Sequence, residues 1–159
     1  MIRLLGTRIR KRGRLSILST LGETLTVGIS LVRARMVKIF VKPWMVTVAI
    51  LAASGGRPPV AITMLAAIAV SAVSIGAYIY NDVVDLEMDR LNPKKRDNPL
   101  PSGKVSVEEA MRVVSISCVI GLALSFFLNI KAFLLCVAYT ALCLAYSTPR
   151  IRFKKMFLL

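Results

Sequence analysis

Residues 60–80 read VAITMLAAIAVSAVSIGAYIY, a run that is apolar or small throughout. About 20 residues of helix are enough to cross the hydrocarbon core of a bilayer, so this run predicts a membrane-spanning helix. Small side chains let neighbouring helices approach closely, and they are frequent in the run: Ala66, Ala67, Ala69, Ser71, Ala72, Ser74, Gly76 and Ala77. We therefore expect this helix to occupy the centre of a bundle.

Three further apolar segments have a suitable length, residues 36–54, 107–128 and 132–146. The first is the weakest, because Lys42 and Pro43 interrupt its first half. We read its basic turns as lying at the headgroups, where lysine stems extend to the interface. Together the four segments predict an all-α fold, a multi-pass transmembrane helical bundle with about four spans.

The basic residues are distributed between the apolar segments in the way that is typical of membrane proteins. The sequence is 56% hydrophobic and 19% charged, with a formal net charge of +14. Its basic residues cluster in residues 3–42, 89–107 and 150–155, whereas the turns on the opposite side carry only Arg57 and Lys131. This asymmetry excludes nucleic acid as the expected partner and indicates membrane lipids. It also predicts a cell-membrane protein whose N-terminus, residues 81–106 and C-terminus are all cytoplasmic.

Residues 1–35 are predicted to form a basic N-terminal extension, and residues 36–159 the transmembrane domain. The extension has a mildly apolar stretch interrupted by Glu23, which is not clean enough for a signal peptide. We favour a cytoplasmic or interfacial helix held by anionic headgroups. A start at Met36 is the alternative.

An acidic cluster follows the first run directly: residues 81–103 read NDVVDLEMDRLNPKKRDNPLPSG. If the helix continues at about 100° per residue, four oxygen-bearing side chains fall within one arc at its cytoplasmic end. These are Asn81, Asp82, Asp85 and Asp89. Unpaired carboxylates there would be costly, and Mg²⁺, which commonly bridges carboxylates to phosphates, relieves that cost. The cluster therefore predicts a site for Mg²⁺ and a diphosphate, with a merely solvated helix end as the weaker reading.

The pattern NDxxDxxxDR, followed by N-P-x-x-R and P-L-P-S-G, resembles the first signature of the UbiA superfamily of intramembrane prenyltransferases. Residues 146–150, YSTPR, are similar to the family's Y-x-x-x-K/R segment, and Lys42-Pro43-Trp44 resembles its basic-Pro entry into the first helix. The resemblance covers residues 36–159. It implies the first part of a fold that has about nine helices in the family.

The resemblance implies a Mg²⁺-dependent transfer of a polyprenyl group from an allylic prenyl diphosphate to a hydrophobic acceptor. Asn81, Asp82, Asp85 and Asp89 would bind the metal, with the three aspartates as candidate catalytic residues. Candidates for contacts with the diphosphate are Asn81, Arg90, Arg96, Tyr146 and Arg150. Metal and cations would stabilise the departing diphosphate, and the helices would exclude water.

Several details of this assignment stay open in the sequence. The acceptor is either a geranylgeranylglyceryl phosphate-like lipid or an aromatic quinone precursor, and the loop looks closer to the former. Tyr78 and Tyr80 are candidates for lining the site. We interpret Lys94, Lys95 and Lys104 as ordinary cytoplasmic charges rather than phosphate ligands.

One departure from the family leaves alternatives. The family's second acidic motif, D-x-x-x-D, is missing, because Glu108 and Glu109 are the only acids after Asp97. We therefore expect a fragment of a longer enzyme or a truncated product that is inactive alone, and a non-enzymatic membrane subunit is a further alternative. A CDP-alcohol phosphotransferase is disfavoured, because the run Asp-Gly-x-x-Ala-Arg does not occur.

Overall fold

A computed structural model describes residues 19–20, 22–33 and 36–148, and these residues are helical with short connections and no strand. We number the helices in chain order: α1 (Met36–Ala53), α2 (Val60–Val84), α3 (Leu86–Leu91), α4 (Val107–Leu128) and α5 (Ile130–Ser147). Residues 22–33 are also helical. The predicted all-α fold class is confirmed.

Helices α2, α4 and α5 are long and apolar enough to cross a membrane, with mean hydropathies of 2.2, 2.1 and 1.7. Helix α1 contributes a shorter apolar stretch, Val41–Ala53. The protein is thus a multi-pass membrane helical bundle, in which the three clear spans of the sequence are confirmed. The weaker first segment forms a helix as expected, but its apolar part is shorter than that of the other three helices.

Polar side chains at the helix starts explain the observed bounds. At α4, Ser106 Oγ accepts from the backbone N–H of Glu109 at 3.2 Å, and Glu109 Oε2 accepts from that of Ser106 at 2.8 Å. This reciprocal pair satisfies two backbone donors that the helix leaves unpaired. At α5, Asn129 Oδ1 accepts from Ala132 N–H at 2.8 Å, so a single residue separates α4 from α5.

Close packing of α2 against α4 confirms the central position predicted for α2, which also contacts α1 and α5. At Gly121, a Cβ atom would lie 2.6 Å from Val73 Cγ2 and 2.8 Å from the carbonyl oxygen of Ala69. At Gly76, a Cβ atom would lie 2.7 Å from Cys118 Sγ. The two backbones therefore approach at a distance that only glycine permits at these positions.

The described part of the N-terminal extension packs on the bundle. Leu31 is only 5% exposed and lies in the same core cluster as Leu86, Leu100 and Val113. Leu86 and Leu100 belong to the chain segment between α2 and α4, which bears the acidic residues. The extension therefore supports the end of the bundle that carries the predicted site.

Candidate functional site

The predicted site lies where α2 ends. Asp85 separates α2 from α3, with φ −89° and ψ 8°, so the continuous helix on which the predicted arc depended is interrupted there. Aspartate is a weak helix former in the interior and is common at helix ends, which accounts for the position of the break. Backbone bonds still cross the junction, from Asp85 N–H to Asn81 O at 2.9 Å and from Asp89 N–H to Asp85 O at 2.9 Å.

Side chains from two helices meet at this junction. Asn81 Nδ2 donates to Asp85 Oδ2 at 3.3 Å, and Asn81 Oδ1 accepts from Ser147 Oγ at 3.3 Å. One residue further along, the hydroxyls of Tyr80 and Thr148 lie 3.3 Å apart. The end of α5 is thereby fixed against the acidic end of α2, through Ser147 and Thr148, whose role the sequence did not indicate.

Asp89 is only 5% exposed, and its Oδ1 lies 2.6 Å from Lys95 Nζ. Burial of a carboxylate is tolerated when an opposite charge and hydrogen bonds compensate it. Lys95, which we had interpreted as an ordinary cytoplasmic charge, therefore has a specific partner. It binds the loop after α3 to the last acidic residue of the cluster.

The other predicted site residues lie further out. Arg90 is exposed and pairs with Glu87 at 3.2 Å, while Arg96 Nε lies 3.9 Å from Asp97 Oδ1, also at the surface. Tyr146 is 46% exposed and immediately precedes Ser147. Arg150 lies outside the described residues. Among the predicted residues, the structure brings Asn81 and Asp85 together directly.

The residues at the end of α2 could hold a metal ion that also binds the phosphate oxygens of a ligand. In the described ranges, no three Asp, Glu, Cys or His side chains form a group able to hold a metal by themselves. The half-buried Asn81, Asp82 and Asp85 nonetheless provide an amide and two carboxylates, all oxygen donors. Mg²⁺ is typically held by one or two carboxylates together with water and phosphate oxygens, so this set fits Mg²⁺ on a diphosphate.

Lys42, whose place at the headgroups stays a prediction, is half-buried and contacts side chains of α2 and α5. Its Nζ donates to the hydroxyl of Tyr139 and lies 4.5 Å from that ring's centroid and 5.6 Å from the ring centroid of Tyr78. The Tyr139 and Ser74 hydroxyl oxygens are 3.4 Å apart. The sequence of α1 does not show which of its faces meets α5, so these contacts were not predictable.

An apolar cleft of about 480 Å³ begins at this lysine and continues away from the acidic end. Helices α1, α2, α4 and α5 all contribute to its walls, including Met45, Val70, Ser125, Leu135 and Tyr139. The bundle thus presents oxygen ligands at one end and an apolar cleft below them. A molecule with an anionic head and a hydrocarbon tail would match both parts.

Replacing Lys95 by methionine is expected to lower the free energy of unfolding by about 2–3 kcal/mol, because Asp89 would keep a buried charge without its lysine. Adding Asp89→Asn to this variant should restore most of the loss, since the two effects are coupled. Thermal unfolding in mild detergent measures both changes. Lys94→Met, at the adjacent exposed position, is the matched control, and an equal loss there would contradict the assignment of the ion pair.

Comparison with known proteins identifies relatives with a similar sequence and fold. The digeranylgeranylglyceryl phosphate synthase of Sulfurisphaera tokodaii is 41% identical over 83 residues, which are 52% of this chain and 29% of the relative. The protoheme IX farnesyltransferase of Korarchaeum cryptofilum is 33% identical over 48% of this chain and 26% of its own length. A solved structure concerning digeranylgeranylglyceryl phosphate synthase in membranes superposes with a TM-score of 0.70 at 28% identity, over 84% of this chain and 47% of that one. Residues 43–159 match the UbiA prenyltransferase family, and the chain belongs to that family.

Proposed function

We propose that this chain forms the donor-binding part of an intramembrane prenyltransferase that uses Mg²⁺. The observation that carries the proposal is the contact of Asn81 with both Asp85 and Ser147, which places an amide and a carboxylate at the end of a membrane helix. An apolar cleft lies below them. A prenyl diphosphate has the matching polarity, with its charge at one end and its hydrocarbon along the rest.

In this proposal Asn81, Asp82 and Asp85 hold Mg²⁺ and the diphosphate, and Asp89 positions the loop through Lys95. When bound, the metal would stabilise the negative charge that develops on the leaving diphosphate. The exposed guanidinium groups of α3 and of the loop after it are candidates for contacts with diphosphate oxygens once they leave their surface carboxylates. The apolar walls take the prenyl chain and exclude water from the reacting carbon.

Four further residues are proposed to contact the diphosphate. Arg90 in α3 and Arg96 in the loop after it would supply the guanidinium contacts, because each is exposed and pairs with an exposed carboxylate. Tyr146, next to Ser147 at the end of α5, would contact the diphosphate, and Arg150, four residues later in the sequence, would provide a planar fork for phosphate.

We propose a lipid acceptor of the geranylgeranylglyceryl phosphate type. The support is the printed activity of relatives at 41% and 46% identity, the synthases of Sulfurisphaera tokodaii and Methanocaldococcus jannaschii. The chain spans 29% of the former's length, so the transfer reaction and its acceptor belong to the whole protein and are part of the proposal. An aromatic acceptor is the second candidate, because a 4-hydroxybenzoate octaprenyltransferase is 29% identical over 62% of this chain.

We further propose that residues 36–159 act as the membrane domain, with both of its ends and residues 81–106 on the cytoplasmic side. The charge asymmetry between the two sides supports this orientation. Cysteine labelling from outside the cell, with cysteines placed at Arg57 and at Lys104, tests it. Labelling is expected at Arg57 alone, and labelling at Lys104 would reverse the topology.

The function is tested by metal removal. In lipid nanodiscs the chain should bind geranylgeranyl diphosphate with Mg²⁺, and chelation should lower the affinity at least about tenfold. Transfer is then measured in membranes carrying the protein, with a geranylgeranylglyceryl phosphate or a 4-hydroxybenzoate acceptor. Binding without transfer to either acceptor would indicate a catalytically incomplete chain, whereas absence of binding would favour a non-enzymatic membrane subunit.

A further inference from the structure

The helix formed by residues 22–33 has one buried face and one exposed face. Leu31 is only 5% exposed, whereas Leu25 on the same helix is 67% exposed. Gly28 lies close to α4, since a Cβ atom there would be 3.7 Å from Val113 Cγ1. Gly28 and Leu31 are three residues apart and so share one helix face. This face of the N-terminal helix is therefore packed on the bundle.

The core cluster that contains Leu31 adjoins the acidic residues. Leu86, which directly follows Asp85 in the sequence, belongs to this cluster. Val83, which directly follows Asp82, packs against it. The immediate neighbours of both proposed metal ligands are thus held by the cluster. A shift of the cluster would move the backbone that carries the two carboxylates.

The same cluster also holds the loop after α3. Leu100 and Val105, which lie in this loop, are both buried members of the cluster. The loop carries Lys95, whose Nζ lies 2.6 Å from Asp89 Oδ1. The N-terminal helix therefore contributes to a core that holds two segments at once, the junction between α2 and α3 and the loop that follows them.

We propose that Leu31 is a positioning residue of the donor site, which keeps Leu86 and Leu100 in the arrangement that binds Mg²⁺ and a diphosphate. This inference rests on the proposed function. A site that must first order its loop binds a ligand more weakly, because ordering opposes the binding free energy. With Leu31 in the cluster, the order exists before the ligand arrives. The N-terminal helix precedes residues 43–159, which match the family, so this role belongs to the extension.

The test compares two ligands that share a hydrocarbon chain and differ in the diphosphate, geranylgeranyl diphosphate and geranylgeraniol. Binding of each to the full chain is measured in nanodiscs with Mg²⁺. Leu31→Ala should weaken binding of the diphosphate about tenfold, the lower end of the range for residues that orient metal ligands. Binding of geranylgeraniol should stay unchanged, because the alcohol uses the apolar cleft without the metal site. A merely structural role of Leu31 would not separate the two ligands.

Three further variants on the same helix complete the comparison. Leu31→Met nearly conserves the side-chain volume and should retain the affinity for the diphosphate. Val27→Ala shortens a partly buried side chain that packs against the cluster, so it should give a smaller loss in the same direction. Leu25→Ala is the matched control, because it removes the same atoms as Leu31→Ala from an exposed position. It should leave both affinities unchanged.

Three results would overturn the inference. Unchanged affinity for geranylgeranyl diphosphate in both Leu31→Ala and Val27→Ala would remove the role of the N-terminal helix, although the proposed diphosphate site would stand. An equal loss of geranylgeraniol binding in both variants would indicate general damage to the bundle instead of a displaced site. If the unaltered chain binds the diphosphate no better than the alcohol, the proposed function fails and the inference fails with it.

Discussion

Asp85→Ala is expected to weaken Mg²⁺-dependent binding of a prenyl diphosphate by at least about 100-fold. Loss of residues that only orient metal ligands already costs about 10–100-fold, and Asp85 is proposed to be a ligand itself. The substitution also removes the acceptor for Asn81 Nδ2, so the amide would lose its orientation. Titration with geranylgeranyl diphosphate in nanodiscs, with and without Mg²⁺, measures the change.

Two further substitutions define the centre of the site. Asp82→Ala should behave like Asp85→Ala, whereas Asp89→Asn should affect stability more than binding, because Asp89 is buried against Lys95. All three variants should insert in the membrane normally. Unchanged binding in both Asp82→Ala and Asp85→Ala, or loss of binding in Asp89→Asn alone, would show that the site was placed wrongly.

Gly121→Val is expected to lower the free energy of unfolding by about 3 kcal/mol or more, because the added carbons have no room between α2 and α4. Even a Cβ atom would lie 2.8 Å from the carbonyl oxygen of Ala69 and 2.9 Å from the backbone nitrogen of Val73. Backbone atoms cannot rotate away as side chains do, so the helices would have to separate. Thermal unfolding in mild detergent measures the loss.

Gly28→Ala is the matched control for that experiment. Its Cβ atom would lie 3.7 Å from Val113 Cγ1, an ordinary van der Waals contact on the same helix α4. Replacing glycine by alanine within a helix also improves helix propensity by up to about 1 kcal/mol. Gly28→Ala is therefore expected to be neutral or stabilising. A loss equal to that of Gly121→Val would mean that glycine flexibility, rather than close packing, explains both positions.

The helices were predictable because the bilayer imposes a length on them. Runs of about 20 apolar residues, ended by Gly, Pro or Asn, gave spans whose observed bounds differ by only a few residues. The acidic cluster was predictable for a related reason, since carboxylates at a membrane helix end require a partner. The match to the UbiA family covers both the helices and the acidic cluster, and it removes the CDP-alcohol phosphotransferase alternative.

The contacts between helices were not predictable in this way. Lys95 and Lys42 each appear in the sequence as one more basic residue near a membrane boundary, and the charge rule treats all such residues alike. Their partners, Asp89 and Tyr139, depend on a folded loop and on the orientation of α1 towards α5. The interruption at Asp85 likewise depends on local backbone geometry, which the spacing of the acidic residues did not reveal.

The single-residue connection at Asn129 restricts how the bundle can admit a lipid. Because α4 and α5 are joined by one capped residue, their ends are held together at that side of the membrane. Any widening between these two helices must therefore increase towards their other ends, where the acidic cluster lies. The connection at Asn129 therefore favours opening of the α4–α5 pair at the acidic end over opening near Asn129.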